Sequence, residues 1–425
     1  MQKYEGSSKV ALLPTNTQQI SDILKYCNSH KLAVCPQSGN TGLVGGGVPV
    51  KDEIVLSLKK MDKIEKFDRN TDILTCESGC VLENLGKYLG EFNCDVPIDL
   101  GARGSCLIGG NLATNAGGKY FIKYGSLRKY VIGMEAVLPT GKVLNMMNEL
   151  RKDNTGFDLK QLFIGSEGLL GIITKINLLC VKKEKFKTLL CFSCDTFDQV
   201  LKLNALAKNH LTINLAAVEY LDSYAYEVVL NQMSNIQPPF PSPPSFTVLI
   251  EIVGNENLDN LISDFYSITQ NCNGFKDCLI SSSEQQYNNL WRHREGVAES
   301  CNKLGLVFKY DVSVDPSYMN ELVVTIRNLT KNQGFTAGYG HIGDGNVHIN
   351  VATFKGKEEE TKKILEPFLW NWLKEKKGSI SAEHGMGKMK AGYLSYAKSE
   401  EVIDEMRKVK DLWDPNGILN PYKVF

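Results

Sequence analysis

Three of the six histidines of the chain fall in two short motifs of its C-terminal third. The first motif runs from His341 to His348, and the second contains Glu383 followed by His384. Two histidines and a carboxylate can supply three ligands to a metal while other coordination positions stay open, an arrangement suited to Zn²⁺. The same donors could hold Fe²⁺ or Mn²⁺, because geometry and not residue type selects among these ions. The alternative interpretation is that these are hydrogen-bonded residues of a protein core.

The elements around the first motif are predicted to be a tight turn and a strand. Residues 343–345 are Gly-Asp-Gly, and the apolar residues that follow alternate with His348 and Asn350. Alternate residues of a strand share a face, so His348 and Asn350 should lie together, opposite a buried apolar face. His341 then lies just across the turn. The local pattern therefore predicts that the polar residues of this motif converge.

Three glycine-rich clusters, at residues 36–47, 101–118 and 165–174, predict a second kind of site. Glycine lets backbone N–H groups approach an anion and adopts positive φ angles, which are the requirements for cradling a pyrophosphate. A single cluster is more typical of a flexible loop. Three clusters with embedded Asn, Thr and Ser side chains favour binding of a large phosphorylated cofactor.

Two cationic residues stand in patterned segments of the second half of the chain. Lys309 lies in the alternating segment 308–314, which predicts a strand with Lys309 on its polar side. Arg294 lies in the segment 290–295, which predicts the start of a helix where Arg294 and Ala298 share a face. Taken alone, each cation is more typical of a solvated surface charge.

Composition limits the class of protein. The 425 residues are too many for one hydrophobic core, so two or three domains are expected. Lys+Arg and Asp+Glu both number 48, which leaves no charge excess to recruit nucleic acid or an anionic membrane. No apolar run approaches the ~18 residues of a membrane-spanning helix, and the N-terminus has no signal-peptide core. The 12 cysteines follow no disulfide or zinc-ribbon spacing, which is typical of a reduced intracellular protein.

A charged stretch at residues 182–187 predicts a domain boundary. We expect one domain at 1–181, a second at 182–385, and a C-terminal segment at 386–425 that returns to the first domain. The clustering of glycine motifs before this boundary, and of histidine motifs after it, supports the division.

Local patterns also predict elements with defined ends. Residues 20–27 have helical spacing, and Asn16 or Thr17 can cap that helix. Residues 400–413 form an amphipathic helix that an Asp-Pro-Asn-Gly turn ends. Residues 136–144 contain a Pro-Thr-Gly turn between apolar segments, which predicts a hairpin.

The three glycine clusters and their order resemble the FAD-binding domain shared by relatives of vanillyl-alcohol oxidase and p-cresol methylhydroxylase. More narrowly, four segments resemble the D-2-hydroxyglutarate dehydrogenase family, namely 36–49, 99–118, 150–168 and 417–423. The resemblance covers nearly the whole chain. It implies an α+β protein, with a two-lobed vanillyl-alcohol-oxidase-type FAD-binding domain and an α+β substrate domain that contains an antiparallel sheet.

The resemblance implies that FAD is the cofactor and that it is bound noncovalently. Family members that tether FAD covalently commonly use a histidine beside the first glycine loop, and Asn40 holds that place here. The positions implied to contact FAD are Pro36, Gly39, Asn40, Thr41, Gly42, Gly104, Ser105, Gly109, Asn111, Thr114, Asn115, Gly117, Gly118, Gly168, Ile172, Ile173 and Asn420.

The resemblance also implies a divalent metal, with zinc as the first choice, ligated by His341, His348 and Glu383. His384 is then left to accept the proton of the substrate hydroxyl while hydride leaves C2 for the flavin. A free imidazole has a pKa near ~6.5 and can take up a proton at neutral pH. A divalent metal on that hydroxyl would stabilise the developing alkoxide.

Substrate binding is implied at Arg294, Lys309, Asn350 and His384. The first three match positions that hold the substrate carboxylates, and the planar fork of Arg can bind both oxygens of a carboxylate. Ala298 stands where the glutarate-oxidising enzymes carry a threonine that helps to bind the distal carboxylate. D-2-Hydroxyglutarate therefore remains the first expected substrate, and D-malate or D-lactate is the second.

The resulting prediction is FAD-dependent oxidation of D-2-hydroxyglutarate to 2-oxoglutarate by metal-assisted hydride transfer. A zinc hydrolase would leave the glycine clusters unexplained, and a non-catalytic flavoprotein that serves as a redox partner would leave Glu383 and His384 unexplained. The resemblance implies an electron-transferring flavoprotein or a second oxoacid as the electron acceptor. It also implies a mitochondrial location, with the cytoplasm as the alternative.

Overall fold

The computed structural model describes residues 4–271, 275 and 277–425. In chain order the strands are β1 (Ala11–Leu12), β2 (Val34–Gln37), β3 (Ile54–Ser57), β4 (Ile64–Asp68), β5 (Ile73–Glu77), β6 (Cys94–Asp95), β7 (Val131–Val137), β8 (Val143–Met146), β9 (Ile172–Leu179), β10 (Val181–Lys182), β11 (Phe186–Cys194), β12 (Leu215–Asp222), β13 (Phe246–Gly254), β14 (Asp277–Ile280), β15 (Val307–Ser313), β16 (Gly334–His341) and β17 (Asn346–Thr353). The helices are α1 (Thr17–Ser29), α2 (Leu82–Gly90), α3 (Ile108–Ala113), α4 (Phe121–Tyr124), α5 (Lys160–Phe163), α6 (Phe197–Leu211), α7 (Ser223–Gln232), α8 (Asp259–Asn271), α9 (Glu284–Glu295), α10 (Val297–Leu304), α11 (Pro316–Thr330), α12 (Glu358–Glu375) and α13 (Glu400–Trp413).

The chain divides into two compact units. The first unit contains the chain up to Gly118, then Tyr124–Lys183 and Glu383–Phe425. The second unit contains Lys119–Lys123 and Glu184–Ala382. Apart from the short segment Lys119–Lys123, the chain therefore passes from the first unit to the second within the charged stretch that suggested a boundary, and it returns between Ala382 and Glu383.

The first unit contains a parallel three-stranded sheet, in the order β1-β3-β2, and a five-stranded antiparallel sheet, in the order β4-β5-β9-β7-β8. The predicted hairpin is confirmed as the pair β7 and β8. Helix α1 is also confirmed, and its cap is Asn16, whose Oδ1 accepts a hydrogen bond of 2.9 Å from the backbone N–H of Gln19.

The C-terminal helix α13 has the ends that the sequence predicts, Glu400 and Trp413. Its buried Lys410 forms an ion pair with Asp414 and donates hydrogen bonds to the carbonyl oxygens of Leu169 (2.7 Å) and Leu419 (2.9 Å). Burial lowers the pKa of Lys410, while the bond to Asp414 opposes that shift. These bonds tie the C-terminal segment to the third glycine cluster.

The second unit is built on a seven-stranded sheet in the order β14-β11-β13-β12-β16-β17-β15. Every neighbouring pair in it is antiparallel, which confirms the predicted antiparallel sheet. Helices α7, α9 and α10 pack on one face through an apolar cluster that includes Val229, Leu290 and Cys301. Among the described residues, no helix is both long enough and apolar enough to cross a membrane.

The predicted start of the helix that contains Arg294, at Leu290, is wrong. Helix α9 begins at Glu284, where Ser283 caps it by accepting from the backbone N–H of Gln286 at 3.2 Å. Gly296 then separates α9 from α10, and a Cβ there would lie 2.3 Å from the sulfur of Met233. Gly296 keeps helical backbone angles and is the cap residue of both helices, so Arg294 lies at the end of one helix and Ala298 in the first turn of the next.

Candidate active site

The glycine clusters of the first unit line one cavity of about 430 Å³. Of the residues that the sequence predicts to bind the cofactor, those that line it are Pro36, Gly39, Asn40, Thr41, Gly42, Gly109, Asn111, Thr114, Gly117, Gly168, Ile172 and Ile173. Glu383 and His384 line the same cavity. The cavity is therefore formed by the glycine clusters that suggested a phosphorylated cofactor, together with the motif that contains Glu383 and His384.

Close backbone approach holds the first two clusters together. The side-chain oxygen of Ser38 accepts a hydrogen bond of 3.1 Å from the backbone N–H of Gly110. A Cβ on Gly39 would lie 2.5 Å from the carbonyl oxygen of Ser105, so no larger residue fits at that crossing without a backbone shift. The first two clusters are thus packed directly against each other where they line the cavity.

Five residues predicted to bind the cofactor do not line this cavity, namely Gly104, Ser105, Asn115, Gly118 and Asn420. Some of them form hydrogen bonds within the first unit. Asn420 donates to the carbonyl oxygen of Glu167 at 2.8 Å and accepts from Lys423 at 3.0 Å. The side-chain oxygen of Asn115 accepts from Ser126 at 2.9 Å. These bonds shape the loops behind the wall.

Glu167 is a cavity residue that sequence reasoning missed. Its carboxylate accepts hydrogen bonds from the backbone N–H groups of Met386 (2.7 Å) and Gly387 (2.8 Å). Burial raises the pKa of Glu167, although these hydrogen bonds and two lysines oppose the shift. The bonds hold the loop that follows His384. The sequence did contain a signal for this residue, because a charged glutamate within a glycine cluster is unusual enough to suggest a specific contact.

In the second unit, polar side chains from neighbouring strands lie side by side on one face of the sheet. Cross-strand partners share a face, and the register pairs Lys309 with Asn350, Asp311 with His348, and His348 with Tyr339. The strand prediction for His348 and Asn350 is confirmed by this register. His341 and Glu219 lie on the same face, one row further along.

Each histidine of this face has a carboxylate at its Nδ1 atom. Glu219 is hydrogen-bonded to His341 Nδ1, and an oxygen of Asp311 lies 3.7 Å from His348 Nδ1. The two imidazole centroids are 5.2 Å apart. A carboxylate at one ring nitrogen orients the ring and leaves the other nitrogen suited to bind a metal. His341 therefore has the surroundings typical of a metal-ligating histidine, and His348 lies beside it with a carboxylate nearby.

Charge and burial favour an anionic ligand beside these histidines. Arg294 donates to Glu219 at 2.6 Å, and its guanidinium lies 4.7 Å from the centroid of the Tyr339 ring. Lys309 is half-buried, and burial lowers its pKa. Within the part of the chain that the structure describes, no carboxylate forms an ion pair with Lys309. Asn350 is buried and donates to Tyr339 at 3.0 Å.

Two carboxyl groups of this region differ in their electrostatics. Burial alone would raise the pKa of Glu219, but the charges of His341 and Arg294 outweigh burial and hold that pKa below its ordinary value. Burial raises the pKa of Asp344, in the turn after His341, to about 6. Glu219 is thus an ionised carboxylate that contacts both His341 and Arg294.

The predicted residues therefore fall into two groups. Lys309, Asn350 and the two histidines of the first motif lie on one face of the sheet in the second unit, and Arg294 of helix α9 approaches His341 on that face. Glu383 and His384 belong to the first unit and line its cavity.

Comparison with known proteins identifies the family. Residues 8–147 match the family described as FAD binding domain, and residues 183–424 match FAD linked oxidases, C-terminal domain. The mitochondrial D-2-hydroxyglutarate dehydrogenase of Arabidopsis thaliana is 45% identical over 426 residues, which are 100% of this chain and 76% of that protein. The chain belongs to the D-2-hydroxyglutarate dehydrogenase family. The D-2-hydroxyglutarate–pyruvate transhydrogenase of Saccharomyces cerevisiae is 40% identical over 438 residues, covering 100% of this chain and 88% of that one.

Solved structures show the same architecture. Substrate-bound p-cresol methylhydroxylase has a TM-score of 0.78 at 17% identity, covering 100% of this chain and 90% of that chain. At this identity the likeness concerns the fold, and it confirms the predicted vanillyl-alcohol-oxidase-type architecture. As a member of the D-2-hydroxyglutarate dehydrogenase family, the protein is an FAD-dependent oxidoreductase.

The cavity suits FAD because many of its lining residues are glycines, which let a large cofactor approach the backbone closely. Gly42 lines this cavity, and a Cβ there would meet no protein atom within 4 Å, so we propose that the bound cofactor occupies the adjacent space. Gly42→Ala is expected to fold normally but to bind FAD at least about tenfold more weakly, a change of ~1.4 kcal/mol. Titration of the apoprotein with FAD, followed by flavin fluorescence, measures this change.

A matched control is Gly90→Ala at the end of α2, where the added Cβ would approach only the flexible end of Lys183, at 3.1 Å. This substitution should leave FAD affinity unchanged. Equal FAD affinities of the Gly42→Ala variant and the unmodified protein would show that the cofactor does not use this wall.

Proposed function

We propose that the protein oxidises D-2-hydroxyglutarate to 2-oxoglutarate. The observation that carries this proposal is the grouping of Arg294, Lys309 and Asn350 beside two histidines on one sheet face, in a chain of this dehydrogenase family. A hydroxy acid with two carboxylates matches these cationic and amide donors. When bound, FAD accepts the hydride that leaves C2, and the hydroxyl proton goes to a base of the protein.

The spacing of the rows suggests which end of the substrate each donor meets. Lys309 and Asn350 are paired one row beyond Asp311 and His348, and successive residues on one strand face are about 7 Å apart. Arg294 lies close to His341, with Nη2 3.5 Å from Nε2. We infer that Lys309 and Asn350 bind the distal carboxylate, while Arg294 holds the end nearer the reacting carbon.

His384 is the proposed base. It is half-buried and lines the cavity that the glycine clusters form, so it belongs to the same wall as the cofactor-binding loops. The hydrogen bonds from Met386 and Gly387 to Glu167 fix the loop that begins immediately after it. A neutral imidazole there would take the hydroxyl proton and so make the loss of hydride from C2 possible.

A divalent metal, with zinc as the first choice, is proposed at His341, His348 and Glu383. The support is the pair of imidazoles on one face, with a carboxylate hydrogen-bonded to Nδ1 of His341 and another 3.7 Å from Nδ1 of His348, and the sequence motif that supplies Glu383. Such an ion would supply Lewis-acid stabilisation of the substrate oxygen.

Noncovalent attachment of FAD is proposed from Asn40, which lines the cavity at the place implied for a histidine tether. Cys106 and His384 also line the cavity, so attachment is tested directly. Denaturation of the yellow protein should release all flavin into the supernatant. Flavin that remains with the precipitated chain would contradict noncovalent binding.

Stopped-flow reduction of the bound flavin by a panel of D- and L-2-hydroxy acids tests the substrate. We expect D-2-hydroxyglutarate to reduce it fastest, although Ala298 leaves D-malate or D-lactate as the second choice. Faster reduction by D-lactate would favour that alternative, and no reduction by any 2-hydroxy acid would contradict the function.

Lys309→Met should raise the KM for D-2-hydroxyglutarate tenfold or more, because a hydrogen bond to a charged group contributes ~1.5–3 kcal/mol. The KM for D-lactate, which has no distal carboxylate, should change little. Lys303→Met is the control, since Lys303 is an exposed residue of α10 that pairs with Glu299. Steady-state kinetics with both acids measures the effect, and equal losses with both would assign Lys309 to the other carboxylate.

The proposed electron acceptor is an electron-transferring flavoprotein, and the proposed location is the mitochondrion. The name of the yeast relative supports a second candidate acceptor, an oxoacid such as pyruvate. Reoxidation of the reduced protein by each acceptor, measured under anaerobic conditions, distinguishes the two.

A further inference from the structure

Glu219 is a buried carboxylate in an otherwise apolar part of β12. Its exposed fraction is 1%, and its neighbours on the same strand face, Ala217 and Leu221, belong to the hydrophobic core of the second unit. A carboxylate removed from water is stable only where hydrogen bonds and opposite charges replace its hydration. Core packing alone therefore does not account for a glutamate here, and its partners must.

The two oxygen atoms of Glu219 have different partners. Oε1 is hydrogen-bonded to Nδ1 of His341, and Oε2 accepts from Nε of Arg294 at 2.6 Å. Nη2 of Arg294 lies 3.5 Å from Nε2 of His341. One carboxylate thus holds a proposed metal ligand and a proposed substrate ligand in a fixed relation.

We propose that Glu219 is a positioning residue for both His341 and Arg294, an inference that rests on the proposed function. By accepting from Nδ1–H, it selects the tautomer of His341 whose Nε2 lone pair is available to a cation. By binding the Nε edge of Arg294, it orients the guanidinium plane so that other N–H groups can meet a carboxylate. Metal affinity and substrate affinity are therefore coupled through one side chain.

Glu251 provides a matched control within the same sheet. It is equally buried, with an exposed fraction of 1%, and it lies on the neighbouring strand β13. Its Oε1 accepts hydrogen bonds from the hydroxyl groups of Tyr120 (3.1 Å) and Tyr287 (2.6 Å), which are uncharged donors. These two hydrogen bonds come from tyrosines and not from His341 or Arg294, so loss of the Glu251 charge is the comparison for loss of a buried carboxylate in this sheet.

The test compares FAD-loaded wild-type protein with Glu219→Gln and Glu251→Gln. In Glu219→Gln the amide oxygen can still accept from His341, but the amide nitrogen cannot accept from Arg294 and the negative charge is lost. We expect Zn²⁺ affinity, measured by competition with a chromogenic chelator, to fall roughly 10–100-fold. The KM for D-2-hydroxyglutarate should rise about tenfold or more, because Arg294 is no longer held in place for its charged hydrogen bond to the substrate carboxylate, and loss of such a bond has an effect of this size. FAD content should not change.

Glu251→Gln should keep the Zn²⁺ affinity and KM of the wild type even where its thermal unfolding temperature falls. If Glu219→Gln does not fold, Glu219→Asp keeps the charge but cannot reach both partners, and the same two losses are expected. Wild-type Zn²⁺ affinity and KM in the folded variant would overturn the positioning role. A wild-type protein that binds no Zn²⁺, or whose flavin D-2-hydroxyglutarate does not reduce, would instead overturn the proposed function.

Discussion

Substitution of His384 by alanine is expected to slow the reduction of bound flavin by D-2-hydroxyglutarate by roughly 10²–10⁴-fold, the usual contribution of a well-placed general base. The physical reason is that hydride can leave C2 only as the hydroxyl loses its proton, and His384 is the proposed acceptor of that proton. The cavity wall is formed mainly by glycine loops, so FAD content should stay unchanged. Stopped-flow absorbance of the flavin measures the rate.

A purely structural role of His384 would give a different result. Added imidazole should restore part of the rate in His384→Ala, because the vacated space can admit a free base, whereas it should not accelerate the wild type. His210→Ala is the control, since His210 is exposed in the last turn of α6. A rate in His384→Ala within a few-fold of the wild type would place the base elsewhere.

Much of the site could be predicted because its residues lie in local patterns. The alternation after residue 345 was enough to put His348 and Asn350 on one face, and the register of β17 confirms it. Glycine clusters were informative for a similar reason, since close backbone approach requires glycine itself, as at Gly39. Helix α13 was predictable to its ends because its amphipathic pattern stops at a proline turn.

The residues that the sequence did not reveal act through distant pairings. Glu219 stands in an apolar strand with no motif around it, and its proposed positioning role depends on β12 lying beside β16. Glu167 meets Met386 and Gly387 more than 200 positions later in the chain. The wrong start of the helix with Arg294 had a local cause, because the cap at Ser283 lies upstream of the cationic segment that drew attention.

Removal of the proposed metal is expected to be the second large effect. Treatment with a chelator, or His348→Ala, should slow flavin reduction roughly a hundredfold or more, since Lewis-acid stabilisation of a substrate oxygen contributes several kcal/mol. The protein should remain yellow, because the cavity of the glycine clusters is built from residues other than this histidine. Metal analysis of each sample, paired with stopped-flow rates, measures both changes.

The decisive comparison is re-addition of Zn²⁺. It should restore the chelated wild type, whose ligands are intact, but not His348→Ala, which lacks one of the two imidazoles that lie 5.2 Å apart. His30→Ala is the control, since His30 is exposed at the end of α1 and should respond like the wild type. Full activity in a sample free of metal would refute the metal and leave the histidines as hydrogen-bonded residues of the sheet. Recovery of the variant with Zn²⁺ would instead remove His348 from the ligand set, because the remaining donors would then suffice to hold the ion.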